Sequence, residues 1–566
     1  EYWYTEENNL YDSTAVIPAG SITISQIPYI RRWPSRLEIM SFVTPYGIGL
    51  DLGPKGKTWT FDVTDFTPIL KGNKRIFLSR GGQNQEEMDI QFLFIKGTPA
   101  REVLDISQLW PAQQFSANYS QILANDVYYP PLNYQTLDSA KGFKIRSAIT
   151  GHGQEGEFIP RNHFIQVNNE TYSRQVWKMC GENPVYPQGG TWIYDRAGWC
   201  PGMATDVAEY DLTGKINGGD LVTLDYGLDA GSGDSRYIVN NQLVSYGEYK
   251  FGYDLGIEDI LEPSKKIEYA RNNPTCLSPK ITVKNNGRNT VNSITIDYWV
   301  NDKANKKTYT WNCYLTTGKV ETIYLPQDNS IYSTAVQGNS VFYAEITAID
   351  GNSSADEYVN NNLFESKFEF PEVYPQHFYL FYRTNNAASE TKIKVVDEWN
   401  KIVFEKNNLT NSTLYRDTLL LGLGCYKLTV EDTDGDGLSF FANNDGSGFF
   451  RLWEVGGSSL KTLNPDFGNK TELQFTVVHK VDVPKRTIDL GYKVFPNPAK
   501  GNFTVSGGDM AGAKHTLYNA FGQTIDAPYT QDEAKISYDL GAYSSGVYFI
   551  NIQKNGFTWT NKIVVE

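Results

Sequence analysis

Two stretches of this chain concentrate the residue types from which a hydrolytic site is built. Residues 149–169 read ITGHGQEGEFIPRNHFIQVNN. Glu155 and Glu157 stand in a loop freed by Gly151, Gly153 and Gly156, and Arg161 and His163 follow on an alternating run. A carboxylate beside an apolar ring such as Phe158 and near a cation is how a functional acid with a shifted pKa is made. The plain alternative is a solvated acidic loop with an arginine at a strand edge. The second stretch, residues 195–204, reads DRAGWCPGMA. Arg196 supplies a planar cation and Trp199 a flat face, which suit a polar, sugar-like ligand. Pro201 and Gly202 turn the backbone, and Cys200 offers a covalent tie. Taken alone, this stretch reads equally well as a disulfide-anchored loop closing a β-sandwich.

A third stretch, DTDGDG at 432–437, alternates carboxylates on a glycine-loosened loop. Asp432, Asp434 and Asp436 have a spacing suited to Ca²⁺, with Asp445 a distant partner. The downstream bidentate Glu and the flanking helices of a full Ca²⁺ loop are missing, so a polar turn is the simpler reading. The five histidines (His152, His163, His377, His479 and His515) show no HxH, HExxH or i,i+4 pairing, and the cysteines form no CxxC. A His- or Cys-based metal site is therefore not expected, nor is any cofactor. No GxSxG supports a serine hydrolase.

The elements that must hold these residues are strands. Aromatics make up 14% of the 566 residues, with 37 Tyr, against 20% charged residues. That is the composition of short strands joined by turns, and the length calls for about four or five domains. The predicted class is all-β: two adjacent eight-stranded jelly rolls, then smaller β-sandwiches. Residues 1–110 form the first module, with alternating runs LEIMSFV, TWTFDVTDF, KRIFLS and MDIQFLFIKG; residues 111–262 form the second. Residues 266–371 read as an immunoglobulin-like sandwich, and the whole of 266–482 suits spacing or adhesion, with spacing preferred. Residues 372–482 read as another small sandwich and 483–566 as a terminal module. No apolar run is long enough to span a bilayer, and the polar start EYWYTEENN is read as a processed terminus. The formal charge of −14 is spread along the chain, which argues against nucleic acid and anionic membrane as partners.

The terminal module resembles the C-terminal sorting domain of the type IX secretion system of Bacteroidetes. The resemblance rests on Pro496-Asn497-Pro498 with Gly501, on Leu517-Tyr518-Asn519 with Gly522, and on Leu540 through Gly546-Val547-Tyr548. It implies handling by that secretion machinery and a secreted or cell-surface location. The cysteines would then lie in an oxidising compartment.

The segment ITGHGQ…GEFIPRNHFIQVNN, then CGENP at 180–184, then DRAGWCPGMA, resembles the peptide-N-glycosidase F family. FVTPYGIG, FDVTDFTPILKGN and KGTP fit that family's first jelly roll, so the likeness runs through about residues 40–250 in one order. It implies an amidase that cleaves the bond between an Asn side-chain amide and the first GlcNAc of an N-glycan, without a metal. N-glycosylated proteins or peptides would be the partners. By motif, Glu157 falls on the family's essential Glu. Arg196 falls on the arginine that binds the glycan core, and Trp199 and Tyr46 on cleft aromatics. Arg161 and His163 support the strand behind, and Cys180 and Cys200 fall on a family disulfide. Whether Cys276 pairs with Cys313 stays open.

Departures from the family are equally specific. The cysteines flanking the family's Glu are replaced, leaving Gly156, Phe158 and Pro160; a platform Trp is His152; and a second cleft Glu falls near Ser79 or Arg80. The family's CDxWDR segment, which carries its base, has no counterpart between Thr14 and Val43. That absence supports the alternative of a non-catalytic glycan-binding surface protein on the same double jelly roll.

Overall fold

The computed structural model describes residues 2–5, 10–13, 37–47, 50–54, 56–79, 81, 86–110, 116–118, 128–229, 235–334, 339–477, 492–507, 510–519, 523–554 and 557–566. The segment expected to carry the family's base lies largely outside them, as do Arg80 and Gly522. The chain is all-β, and it divides into two compact units, Glu1–His479 and Lys480–Glu566.

The site is carried by a sandwich of two antiparallel sheets. One orders the strands Leu132–Gln135, Leu221–Leu228, Arg161–Val167 and Glu170–Val176; the other orders Arg101–Gln108, Arg236–Tyr249, Gly142–His152 and Val207–Asp211. Gly142–His152 alternates buried and half-buried side chains along its length, as period-2 apolar patterning demands of a strand with one face in a core. It pairs with Arg236–Tyr246 over eleven registered positions. Phe143, Ile145, Leu212, Leu224, Tyr237 and Leu243, each at most 1% exposed, fill the space between the sheets.

Two module edges differ from expectation. Arg101–Gln108, read from sequence with the first module, pairs with Arg236–Tyr249 of this sandwich. Leu255–Glu262, read with the second module, pairs with Lys280–Asn285 and so opens the next one. Strand pairing decides membership, and pairing is a long-range fact that local patterning cannot carry. The runs TWTFDVTDF, KRIFLS and MDIQFLFIKG form no strand among the described residues; the strands Tyr2–Thr5 and Leu10–Ser13 pair with each other, and Thr64–Phe66 makes a short turn. Alternation permits a strand, but only a hydrogen-bonded neighbour makes one, and Leu93, Phe94 and Ile95 are 81%, 77% and 93% exposed.

Residues 255–368 form a three-stranded sheet on a four-stranded one, and residues 372–477 a five-stranded sheet on a four-stranded one. Cys276, ahead of the Lys280–Asn285 strand, is bonded to Cys425 in the strand Gly424–Asp432, tying these two sandwiches together; Cys313 is a free thiol. The 372–477 sandwich packs against the site-bearing one. Its Phe440 is buried with Trp192 and Ile193, its Asp466 accepts from Trp192 Nε1 at 3.1 Å, and its Asn469 N donates to Gly181 O. Arg271 completes the seam, donating to Gly181 O and Asn183 O on one side and to Phe467 O and Lys470 O on the other. In the second unit, two four-stranded sheets enclose Phe503, Val505, Met510, Leu517, Ile550 and Ile563.

Candidate active site

Glu157 sits on a single helical turn, Gln154–Phe158, that begins after Gly153 (φ 80°) at the end of the Gly142–His152 strand. Only glycine takes that backbone conformation cheaply. Gly151 is needed for closeness: a Cβ there would lie 1.9 Å from Gly156 O and 2.6 Å from Ala197 Cβ. The turn and the 195–200 loop are thereby stitched together, with Gly151 N donating to Ala197 O and Ala197 N to Glu157 O, both at 2.9 Å.

The loop is pinned from the other side by the Cys180–Cys200 disulfide and by paired backbone bonds between Lys178 and Arg196. Asp195 accepts from Cys180 N at 2.8 Å, and burial raises its pKa. Trp199 Nε1 donates to Gly151 O, and its ring is 8% exposed.

Arg196 is 1% exposed, and each of its three nitrogens donates a hydrogen bond. Nε donates to Glu157 Oε1 at 2.8 Å, Nη1 to Tyr194 O at 2.5 Å, and Nη2 to Thr191 O at 2.8 Å. Its guanidinium lies 5.0 Å from the Trp199 ring centre, 5.3 Å from Phe158 and 6.0 Å from Tyr46. The Glu157 side chain is 19% exposed, so one face of the pair meets solvent. A buried cation anchored by two carbonyls and aimed at a mostly buried carboxylate fixes where that carboxylate points.

The structure brings together Glu157, Arg196, Trp199, Tyr46 and His152, whose ring lies 6.0 Å from Trp199 at 24°. His152 also bonds Thr150 Oγ1, and burial lowers its pKa. Arg161 pairs with Glu155 at 3.7 Å rather than with Glu157. His163 is a core residue bonded to Tyr226, its pKa pushed down to about 3 by burial. Ser79 is exposed and takes no part in the cluster.

Sequence reading missed Tyr194, 41% exposed and edge-on to both Phe158 and Phe440. Its place beside the arginine was visible in the string WIYDRAGWC, but only the fold shows that it faces out. Away from this site, Asp432 and Asp436 come together with Glu390, while Asp434 is exposed and stands outside the group. Burial and the neighbouring carboxylates push Asp432 up to about 6 and Glu390 to about 7.

The family described as peptide-N-glycosidase F, C terminal, matches residues 118–244, and the secretion system C-terminal sorting domain matches residues 493–566. The peptide-N(4)-(N-acetyl-beta-D-glucosaminyl)asparagine amidase F of Elizabethkingia miricola is 30% identical over 234 residues, covering 37% of this chain and 64% of that protein. The chain therefore matches just under two-thirds of that relative's length. Among solved structures, PNGase F from Flavobacterium meningosepticum, a glycosylasparaginase, is similar at 20% identity over 44% of this chain and 76% of its own, with a TM-score of 0.27. A peptide-N(4)-(N-acetyl-beta-D-glucosaminyl)asparagine amidase structure is 22% identical over 27% and 55%, with a TM-score of 0.23. With the sorting domain at its end, the protein is secreted or displayed at the cell surface.

Proposed function

We propose that this chain is a peptide-N-glycosidase that hydrolyses the Asn–GlcNAc amide bond and releases N-glycans from glycoproteins or glycopeptides, after export by type IX secretion. The observation that carries this reading is the Glu157–Arg196 pair, held within the stretch that matches the family. Glu157 Oε1 is taken by the guanidinium, and Oε2 accepts no hydrogen bond among the described residues, which leaves it for the scissile amide or the attacking water. Arg196 is too buried to touch the glycan and acts as a positioning residue. Trp199 and Tyr46 wall it in, while the outward-facing Tyr194 and the half-buried Phe158 offer rings to the sugar.

The reaction adds water across the amide: the Asn side chain leaves as Asp and the glycan as a glycosylamine. The test is a defined N-glycopeptide, followed by mass spectrometry for the Asn-to-Asp change. Glu157→Gln should lower release by ~10²–10⁴-fold while the chain stays folded, the range for losing a positioned acid–base group. Release at the wild-type rate would remove Glu157 from the chemistry. A second reading, a glycan-binding protein without catalysis, is favoured by the missing counterpart of the family's base segment. Wild-type protein that binds the glycopeptide and leaves its Asn unchanged would establish it.

A further inference from the structure

In the 372–477 sandwich, the strand Thr391–Asp397 lies beside Gly424–Asp432 in a register that sets Thr391 opposite Asp432. Glu390 precedes the first strand and the DTDGDG turn leaves the second, so three carboxylates meet at one corner. Their ligand oxygens lie within 4.8 Å of one another.

Two of these side chains are more than nine-tenths buried: Asp432 is 3% and Asp436 7% exposed. Asp432 Oδ1 accepts from Gly435 N and Asp436 N, and Asp436 Oδ2 accepts from Asn443 Nδ2. The other oxygens, Asp432 Oδ2, Asp436 Oδ1 and Glu390 Oε2, are buried without a hydrogen-bond partner. No Lys, Arg or His pairs with any of the three residues among the described ones. Buried carboxylates are otherwise paired or bound to a cation, and here each of three clustered carboxylates keeps a buried oxygen without a partner.

We infer that Glu390, Asp432 and Asp436 form a Ca²⁺ site. An all-oxygen set of hard donors excludes zinc's preferred nitrogen and sulfur ligands. A flexible glycine turn, with Gly435 (φ 85°) and Gly437 (φ 76°), suits the six to eight oxygens that Ca²⁺ gathers from carboxylates, carbonyls and water. The same turn leads to Phe440, and Asp432 N donates to the carbonyl of Asn469, whose own N–H reaches Gly181. The ion thus sits behind the surface that packs on the Cys180–Cys200 loop, independently of whether that loop serves an amidase.

The test uses the full chain stripped with EGTA and titrated with CaCl₂, read by calorimetry and thermal unfolding. One ion should bind per chain, with Tm rising as the logarithm of free Ca²⁺. Asp432→Asn should weaken Ca²⁺ binding at least ~10-fold through the lost ligand charge. In EGTA it should melt no lower than wild type, because its amide can donate where a carboxylate was orphaned. Asp434→Asn, at the exposed position, should bind as wild type does. No heat and no Tm change up to ~10 mM Ca²⁺, above the range of extracellular modules, would overturn the site. So would Asp432→Asn and Glu390→Gln proteins that bind with wild-type affinity.

Discussion

Replacing Arg196 by Met tests the central claim about the site, that a buried guanidinium exists to hold Glu157. The substitution keeps a similar length and removes the donors to Glu157 Oε1, Tyr194 O and Thr191 O. Breaking a buried ion pair from one side costs about 3–5 kcal/mol. Glu157 is 19% exposed and can take up water, so the lower end, about 3 kcal/mol, applies here. Glu157→Gln keeps an acceptor for Nε and loses only the charge assistance, about 1–2 kcal/mol. The double variant leaves no orphaned carboxylate, so its loss should fall below the summed singles by ~1–2 kcal/mol. Urea unfolding of the four proteins, followed by tryptophan fluorescence, closes the cycle. At ~2–4 °C per kcal/mol for a domain of this size, the Met variant should melt roughly 6–12 °C lower. Additive single losses, or a Met variant within about 1 kcal/mol of wild type, would refute the coupling and reduce Arg196 to one core residue among many.

Two further outcomes follow from named contacts. Cys180→Ser with Cys200→Ser removes a bridge spanning 20 residues and should cost ~3 kcal/mol in non-reducing urea titrations, whereas Cys313→Ser, which breaks no bridge, should cost at most about 1 kcal/mol. Equal losses would mean that the bridge does not constrain the loop. Asp254 is 1% exposed; burial first, then Asp356 and Glu357, raise its pKa to about 6, against one hydrogen bond from Asn361. A carboxyl raised on folding contributes stability that is full below about pH 4 and is lost as pH rises through about 6. Asp254→Asn should therefore be more stable than wild type at pH 8, by on the order of 1–3 kcal/mol, and level with it near pH 4. A gap that does not change with pH in thermal melts would rule this out.

Much of the site was legible in the chain because its signals are local. Glycines at 151, 153 and 156 around two carboxylates announce a freed turn, and the structure adds that a Cβ on Gly151 would meet Gly156 O and Ala197. The cysteines flanking CGENP and DRAGWC meet as the resemblance implied. All-β architecture follows from aromatic, β-branched and turn residues, which act over a few positions.

What the sequence by itself determined is the list of parts: strand-rich modules, a glycine-framed Glu157, a disulfide-tied Arg196 loop and a terminal sorting domain. Only the tertiary structure decided which carboxylate the arginine holds. Glu155 and Glu157 are two residues apart, and one helical turn sends the first to Arg161 and the second to Arg196. Tertiary structure also decided that Glu390, distant in sequence from DTDGDG, joins Asp432 and Asp436 in place of Asp434, because strand register brings it there. And it decided that the 372–477 sandwich props the loop through Phe440 and Asp466. Apart from Glu155–Arg161, these pairings reach across many residues of chain and are set by burial and register together.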